Sequence, residues 1–141
     1  MIIIDTSGLL AALDASERHH ASAARSLKAA GEPRMLSPFV LTELDYLLAR
    51  RVSAGSQRAL LREVASGAYQ LEAFAAADVD AAIQVLARYP NLDLGLADAS
   101  LVVLAERHNL LDVLTLDERH FRALRGPGGR SFRVLPADAA A

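Results

Sequence analysis

At 141 residues and 15.1 kDa the chain is the size of one ordinary domain, long enough to bury about two-thirds of the surface of its unfolded form. With 52% hydrophobic and 23% charged residues it is expected to fold, and the absence of cysteine excludes disulfides, thiolate metal sites and cysteine nucleophiles. The formal net charge of −2 speaks at first sight against a nucleic-acid partner. In chain order, Ile2-Ile3-Ile4 is a β-branched run without alternation, the pattern of a strand buried on both faces, and it runs directly into Asp5-Thr6-Ser7-Gly8. A helical stretch from Leu9 to Asp14 follows, then an alanine-rich helix opened by Ser16 and Glu17 and closed near Ala30 by Gly31. Met35-Leu36 is a weak second strand. Ser37-Pro38 then reads as N-cap and first residue of a helix to about Val52, since proline there forfeits no intrahelical bond.

A further helix is expected from Ser56 to Ala65, a third short strand at Tyr69 to Leu71, and a helix from Asp78 to Tyr89 with Val79, Ala82, Ile83 and Leu86 as its apolar face. Leu96 to His108 is helical, with a centre, Leu101-Val102-Val103-Leu104, apolar enough to lie deep. Val113 to Leu116 is the fourth strand, Asp117 starts a short helix to Leu124, and Phe132 to Leu135 is the fifth strand. Strands alternating with helices predict an α/β fold, one domain over 1–136 with a frayed tail at 137–141. No stretch goes more than eight residues without a charged side chain, and the first charge comes at Asp5, so neither a membrane span nor a signal peptide is expected and an intracellular protein is.

In an open parallel sheet, chemistry gathers at the carboxyl ends of the strands. Asp5 directly follows the first strand and Asp117 the fourth, while Asp98 falls in the first turn of the Leu96 helix, where free N–H groups favour an anion. Glu43 sits between Val40 and Leu47 on an apolar helix face, which is costly for a carboxylate without compensation. Each acid also has a plain structural role open to it: helix N-cap for Asp117, helix-dipole partner for Asp98, ion pairing with Arg50 or Arg51 for Glu43. Asp5 is the hardest to explain that way. If the four converge they cannot all stay ionised without a cation, and hard oxygen donors suit Mg²⁺ or Mn²⁺. Such a centre hydrolyses phosphodiesters. His19, His20 and His120 show no ligand spacing and read as surface residues.

Ile2-Ile3-Ile4-Asp5-Thr6-Ser7, Leu41-Thr42-Glu43-Leu44, Leu96-Ala97-Asp98-Ala99 and Thr115-Leu116-Asp117 through Phe121 together resemble the PIN-domain ribonucleases, and more narrowly the VapC toxins of bacterial toxin–antitoxin pairs. The resemblance runs from Met1 to about Pro136. It implies a PIN-like three-layer sandwich around a five-stranded, mainly parallel sheet, and an Mg²⁺- or Mn²⁺-dependent endoribonuclease acting on transfer or ribosomal RNA. It also implies a VapB-type antitoxin that covers the acidic pocket, a homodimer, and a cytoplasmic site of action. By the same likeness Asp5 and Asp98 are metal ligands, Glu43 and Asp117 complete the pocket, and Ser7 and Thr115 orient the acids. Asp93 is either an extra acid or a plain loop residue.

Aromatic residues are too few for base-stacking platforms, so phosphate contacts would fall to arginine, which outnumbers lysine 14 to 1. From Arg119 onward five arginines face Asp138 alone, and Arg119, Arg122 and Arg125 are the candidates nearest Asp117; a merely solvated surface is the competing reading. Val40, Leu44, Tyr46, Leu47, Leu60 and Leu61 are candidates for a dimer face or for core. A haloacid-dehalogenase-type phosphatase would want an aspartate where Ser7 stands, a receiver domain an acid pair near the first strand, an aspartate after the third and a lysine near the fifth, where this chain's only lysine is Lys28, and a P-loop is absent. Two alternatives to the toxin remain: a non-catalytic PIN-fold binding module, and a housekeeping nuclease outside any toxin pair.

Overall fold

A computed structural model describes residues 1–140. Five strands, β1 (Ile2–Ile4), β2 (Arg34–Leu36), β3 (Gln70–Leu71), β4 (Asp112–Leu114) and β5 (Arg133–Leu135), form one wholly parallel sheet in the order β3-β2-β1-β4-β5. Seven helices connect them: α1 (Thr6–Leu13), α2 (His20–Ala30), α3 (Pro38–Arg51), α4 (Ala54–Ala65), α5 (Ala76–Arg88), α6 (Leu96–His108) and α7 (Glu118–Ala123). All three residues of β1 are fully buried, which requires helices over both faces of the sheet and makes the three layers. The chain leaves β1 toward β2 on one side and reaches β4 on the other. The crevice outside the carboxyl ends of β1 and β4 is therefore the switch point of the topology.

Local chemistry explains where the elements start. Ser37 caps α3, its Oγ accepting from Phe39 N at 3.2 Å with Pro38 as the first helical residue. Ser37 Oγ also pairs with Ser100 Oγ at 2.7 Å in a fully buried contact that ties the start of α3 to the first turns of α6. Gly8 lets α1 lie hard against β4, since a Cβ there would sit 2.3 Å from the Leu114 carbonyl oxygen. Phe121 of α7 packs edge-on against Phe132, with ring centres 5.7 Å apart, and so pins α7 beside β5.

The structure departs from the sequence expectations at several points and settles others; α1 begins at Thr6, directly after Asp5, rather than at Leu9. Ser16 and Glu17 do not open α2, because Asp14 takes both the backbone and hydroxyl of Ser16 into a turn and Glu17 accepts from His19 N. β4 ends at Leu114; Thr115 still donates its backbone N to Leu135 O at 2.9 Å, and its hydroxyl bonds Asp5 in the crevice. α5 buries Ala82 and Val85, while Val79 and Ile83, two of the four residues expected on its apolar face, stand exposed. Val40, Leu44 and Leu60 are core, so of the residues weighed for a dimer face only Tyr46 and Leu61 are exposed. Of the tail, Ala141 lies outside the described residues, and Asp138 is held by two oxygen contacts to Arg122 and by Val134 N.

At the β3 edge a second group of charges is closed on itself. Glu72, nearly buried, accepts from Arg107 at 3.2 Å, from Gln70 at 2.9 Å and from His108, while Arg107 also pairs with Asp78 at 3.0 Å. Burial pushes the Glu72 carboxyl up, but the bonds from His108, Gln70 and Arg107 outweigh it and hold the group below its usual range.

Candidate active site

The first turn of α1 and the segment after β4 interlock through hydroxyls. Thr115 Oγ1 donates to Asp5 Oδ2 at 2.6 Å, and Ser7 Oγ lies 3.4 Å from the same oxygen and 3.3 Å from Thr115 Oγ1. In turn Leu116 N donates to Ser7 Oγ and Asp117 N to Thr115 Oγ1, each at 2.9 Å. Ser7 and Thr115 thus both sit against Asp5. Asp5 itself is 7% exposed. Burial pushes its carboxyl up to about 6, and the neighbouring charges of Asp98 and Asp117 push the same way against the Thr115 bond.

Asp98 and Asp117 each serve their helix with one atom and face the crevice as well. Asp98 Oδ2 accepts from Gly95 N at 3.2 Å at the start of α6, and Asp117 Oδ1 accepts from His120 N at 3.0 Å as the cap of α7. The plain structural roles open to these two residues are therefore present, and they coexist with convergence: Asp98, Asp117 and His120 each offer a donor atom within 4.8 Å of the others. His120 Nδ1 is 2.8 Å from Asp117 Oδ2 and 3.9 Å from Asp98 Oδ2. Asp5 acts on this set through its charge and lies outside its tightest three members.

Glu43 is placed differently from the expectation. It is exposed on α3 rather than set into the apolar face, and Thr6 Oγ1 donates to its Oε1 at 2.7 Å, so no arginine is needed to account for it. That bond brings Glu43 to the start of α1, next to Asp5. Asp93 is an exposed loop residue with a backbone φ of 52°, and the described side chains make no hydrogen bond to it.

Of the three arginines considered for RNA, Arg122 is engaged in ion pairs with Glu118 and Asp138 at 2.9 and 2.7 Å. Arg125 donates to the carbonyl oxygens of Arg122 and Leu124. Arg119 is exposed and has no such partner among the described residues. Farther along, Arg130 bonds Asn109 and Arg133 pairs with Asp112. The basic run is thus partly neutralised by its own surroundings.

His120 and Thr6 are the members of this constellation that sequence reasoning missed. The signal for His120 was present as Asp117 and His120 at i and i+3 on one short helix, a spacing that turns both side chains to one side. For Thr6 there was none, because its partner lies 37 residues away.

The donor set, carboxylates joined by an imidazole and shielded on one side by buried hydroxyls, fits a hard divalent cation. Comparison with known proteins gives the family context. The PIN domain family pattern matches residues 2–127. Ribonuclease VapC26 of Mycobacterium tuberculosis is 44% identical over 135 residues, 96% of this chain and all of that protein. Among solved structures, VapC20 of Mycobacterium tuberculosis, a sarcin-ricin loop cleaving toxin, superposes with a TM-score of 0.76 at 24% identity over 83% of this chain and 90% of that one. DNA-bound VapBC from Salmonella typhimurium gives 0.68 at 17% identity over 94% of this chain and 96% of that one. At those identities the structural likeness speaks to the fold alone.

Proposed function

The chain belongs to the PIN-domain family, and from that premise we propose that it is the toxin of a toxin–antitoxin pair, an endoribonuclease that hydrolyses RNA phosphodiester bonds with Mg²⁺ or Mn²⁺. The observation that carries this reading is uncompensated negative charge: Asp5, Asp98 and Asp117 meet at the switch point, and no arginine or lysine among the described residues pairs with any of them. A bound divalent cation would supply Lewis-acid stabilisation of the phosphate and make a water bound to it easier to deprotonate. Asp98 and Asp117 hold the cation directly. Asp5, clamped by Thr115 and Ser7, completes the charge that draws it in. Glu43 has one oxygen fixed by Thr6 and the other free to accept a proton from the attacking water.

The substrate class is structured RNA, transfer or ribosomal, with Arg119 and Arg125 at the rim contacting phosphate. Residues 1–136 form the catalytic domain. Growth arrest follows from cleavage, and a VapB-type antitoxin silences the enzyme by covering the acidic crevice. Exposed Tyr46 and Leu61 contribute to a homodimer face. No described helix is long and apolar enough to cross a membrane, which fits action on RNA in the cytoplasm.

The test is cleavage of total cellular RNA by the wild type and by Asp5→Asn, with Mn²⁺ or Mg²⁺ and with chelator. Cleavage that requires metal and falls at least ~100-fold in the variant is expected, because outer partners of metal ligands alone cost about 10–100-fold. Equal cleavage by both proteins, or none by the wild type on any RNA, contradicts the reading.

A further inference from the structure

We infer that His120 is a nitrogen donor of the metal centre, sharing one cation with Asp98 and Asp117 and tilting the centre toward Mn²⁺ over Mg²⁺. This rests on the metal-dependent reading above and adds to it a residue and a metal preference. Three observations carry it. First, the three donor atoms lie within 4.8 Å of one another, with His120 Nδ1 at 2.8 Å from Asp117 Oδ2 and 3.9 Å from Asp98 Oδ2. Around an octahedral ion with bonds of about 2.1 Å, adjacent donors stand about 3 Å apart and opposite ones about 4.2 Å. Both distances fall inside or at the edge of that range.

Second, Nδ1 is buried yet makes no hydrogen bond of acceptable geometry, despite its closeness to Asp117. The side chain is only 16% exposed, so solvent does not explain the orphan either. An imidazole held by a hydrogen bond to Asp117 would point its N–H along the line to the carboxylate oxygen. This one approaches the oxygen without doing so, as two ligands of a common ion do.

Third, the ring is fixed by its own short helix. His120 N donates to Asp117 Oδ1, Leu124 N donates to the His120 carbonyl, and the next residue, Phe121, is anchored against Phe132. Asp117 and His120 are therefore presented as a pair. Replacing one oxygen donor by imidazole nitrogen handicaps Mg²⁺, which prefers oxygen and water, relative to Mn²⁺.

The experiment is electron spin-echo spectroscopy of the full-length protein loaded with Mn²⁺, alongside calorimetric titration of metal-free protein with Mn²⁺ and with Mg²⁺. Both are run on the wild type and on His120→Asn, which keeps an N–H donor beside Asp117 but removes the ring nitrogen. The wild type is expected to show imidazole ¹⁴N coupling to Mn²⁺. His120→Asn is expected to lose that coupling and bind Mn²⁺ about 10-fold or more weakly, with a smaller change for Mg²⁺. Mn²⁺ bound by the wild type without imidazole coupling overturns the inference and leaves the carboxylate centre standing, and that result does not depend on the variant folding. Failure of the wild type to bind Mn²⁺ at all overturns both.

Discussion

The crevice at β1 and β4 and the cluster at the β3 edge are built from nearly the same parts, and they behave in opposite ways. Each has carboxylates, a histidine and a nearly buried acid. At the β3 edge Arg107 stands between Glu72 and Asp78, and with His108 and Gln70 it holds Glu72 ionised below its usual range. In the crevice no guanidinium enters, and burial with two neighbouring carboxylates drives Asp5 up to about 6. The first arrangement is closed and needs nothing further; the second carries a deficit of positive charge that a ligand must supply. The presence of acids does not separate a site from a structural brace. The cation missing from one of them does.

The sharpest way to break that contrast is to remove one charge from each cluster. Asp98→Asn is expected to reduce RNA cleavage at least ~100-fold while leaving the unfolding midpoint of the metal-free protein unchanged or raised, since one of the repelling charges is gone. A variant that cuts RNA as the wild type does would place the chemistry elsewhere. Next in size is the pH response of the metal-free protein. Folded Asp5 holds its proton more tightly than an unfolded aspartate at about 3.8, so its contribution to stability is fully present below about pH 4 and lost as pH rises through about 6. The loss is on the order of 2–3 kcal/mol, measurable by denaturant unfolding, and Asp5→Asn should flatten it. Because Glu72, Asp14, Asp78 and Asp138 are shifted the other way, the readout is the difference between the two proteins: the same pH response in wild type and Asp5→Asn over that window would mean the crevice is compensated after all. Arg107→Ala is expected to cost about 1 kcal/mol, since it removes one of three donors to Glu72 and the partner of Asp78 while His108 and Gln70 remain, with cleavage per folded molecule unchanged. Cleavage that falls with it would join the two clusters. Smallest is Arg122→Ala, which releases Asp138 from an exposed ion pair; only a minor shift in unfolding midpoint is expected, and a large one would show the C-terminal segment bracing α7.

The parallel α/β class and several of its elements were legible because they depend on patterns that burial and capping enforce locally: the unbroken Ile2-Ile3-Ile4 run, the Ser37-Pro38 start of α3, the apolar centre of α6. The strand order β3-β2-β1-β4-β5 is set by tertiary packing and was not. The membership of the crevice was legible where an acid follows a strand or opens a helix, as with Asp5, Asp98 and Asp117. What escaped was set by tertiary geometry. Glu43 is exposed and its partner is Thr6, a contact between helices that no local pattern encodes. His120 looked like a surface residue because no second histidine stands at ligand spacing, yet α7 turns it inward beside Asp117. The arginine run from Arg119 to Arg133 read as a candidate phosphate surface, but Arg122 is taken by Glu118 on its own helix and by Asp138, and Asp112 and Asn109, from outside the run, engage Arg133 and Arg130. Ser16 and Glu17 looked like a helix start and became a turn because Asp14 competes for their donors.

The central claim, that the crevice is short of positive charge and is completed by a divalent cation, is tested most directly by thermal unfolding at neutral pH with Mn²⁺ or with chelator. Metal at about 100 times its dissociation constant should stabilise the wild type by about 2.7 kcal/mol, raising its midpoint, and should do nothing for Asp98→Asn. A wild-type midpoint indifferent to Mn²⁺, or an equal rise in both proteins, would contradict it.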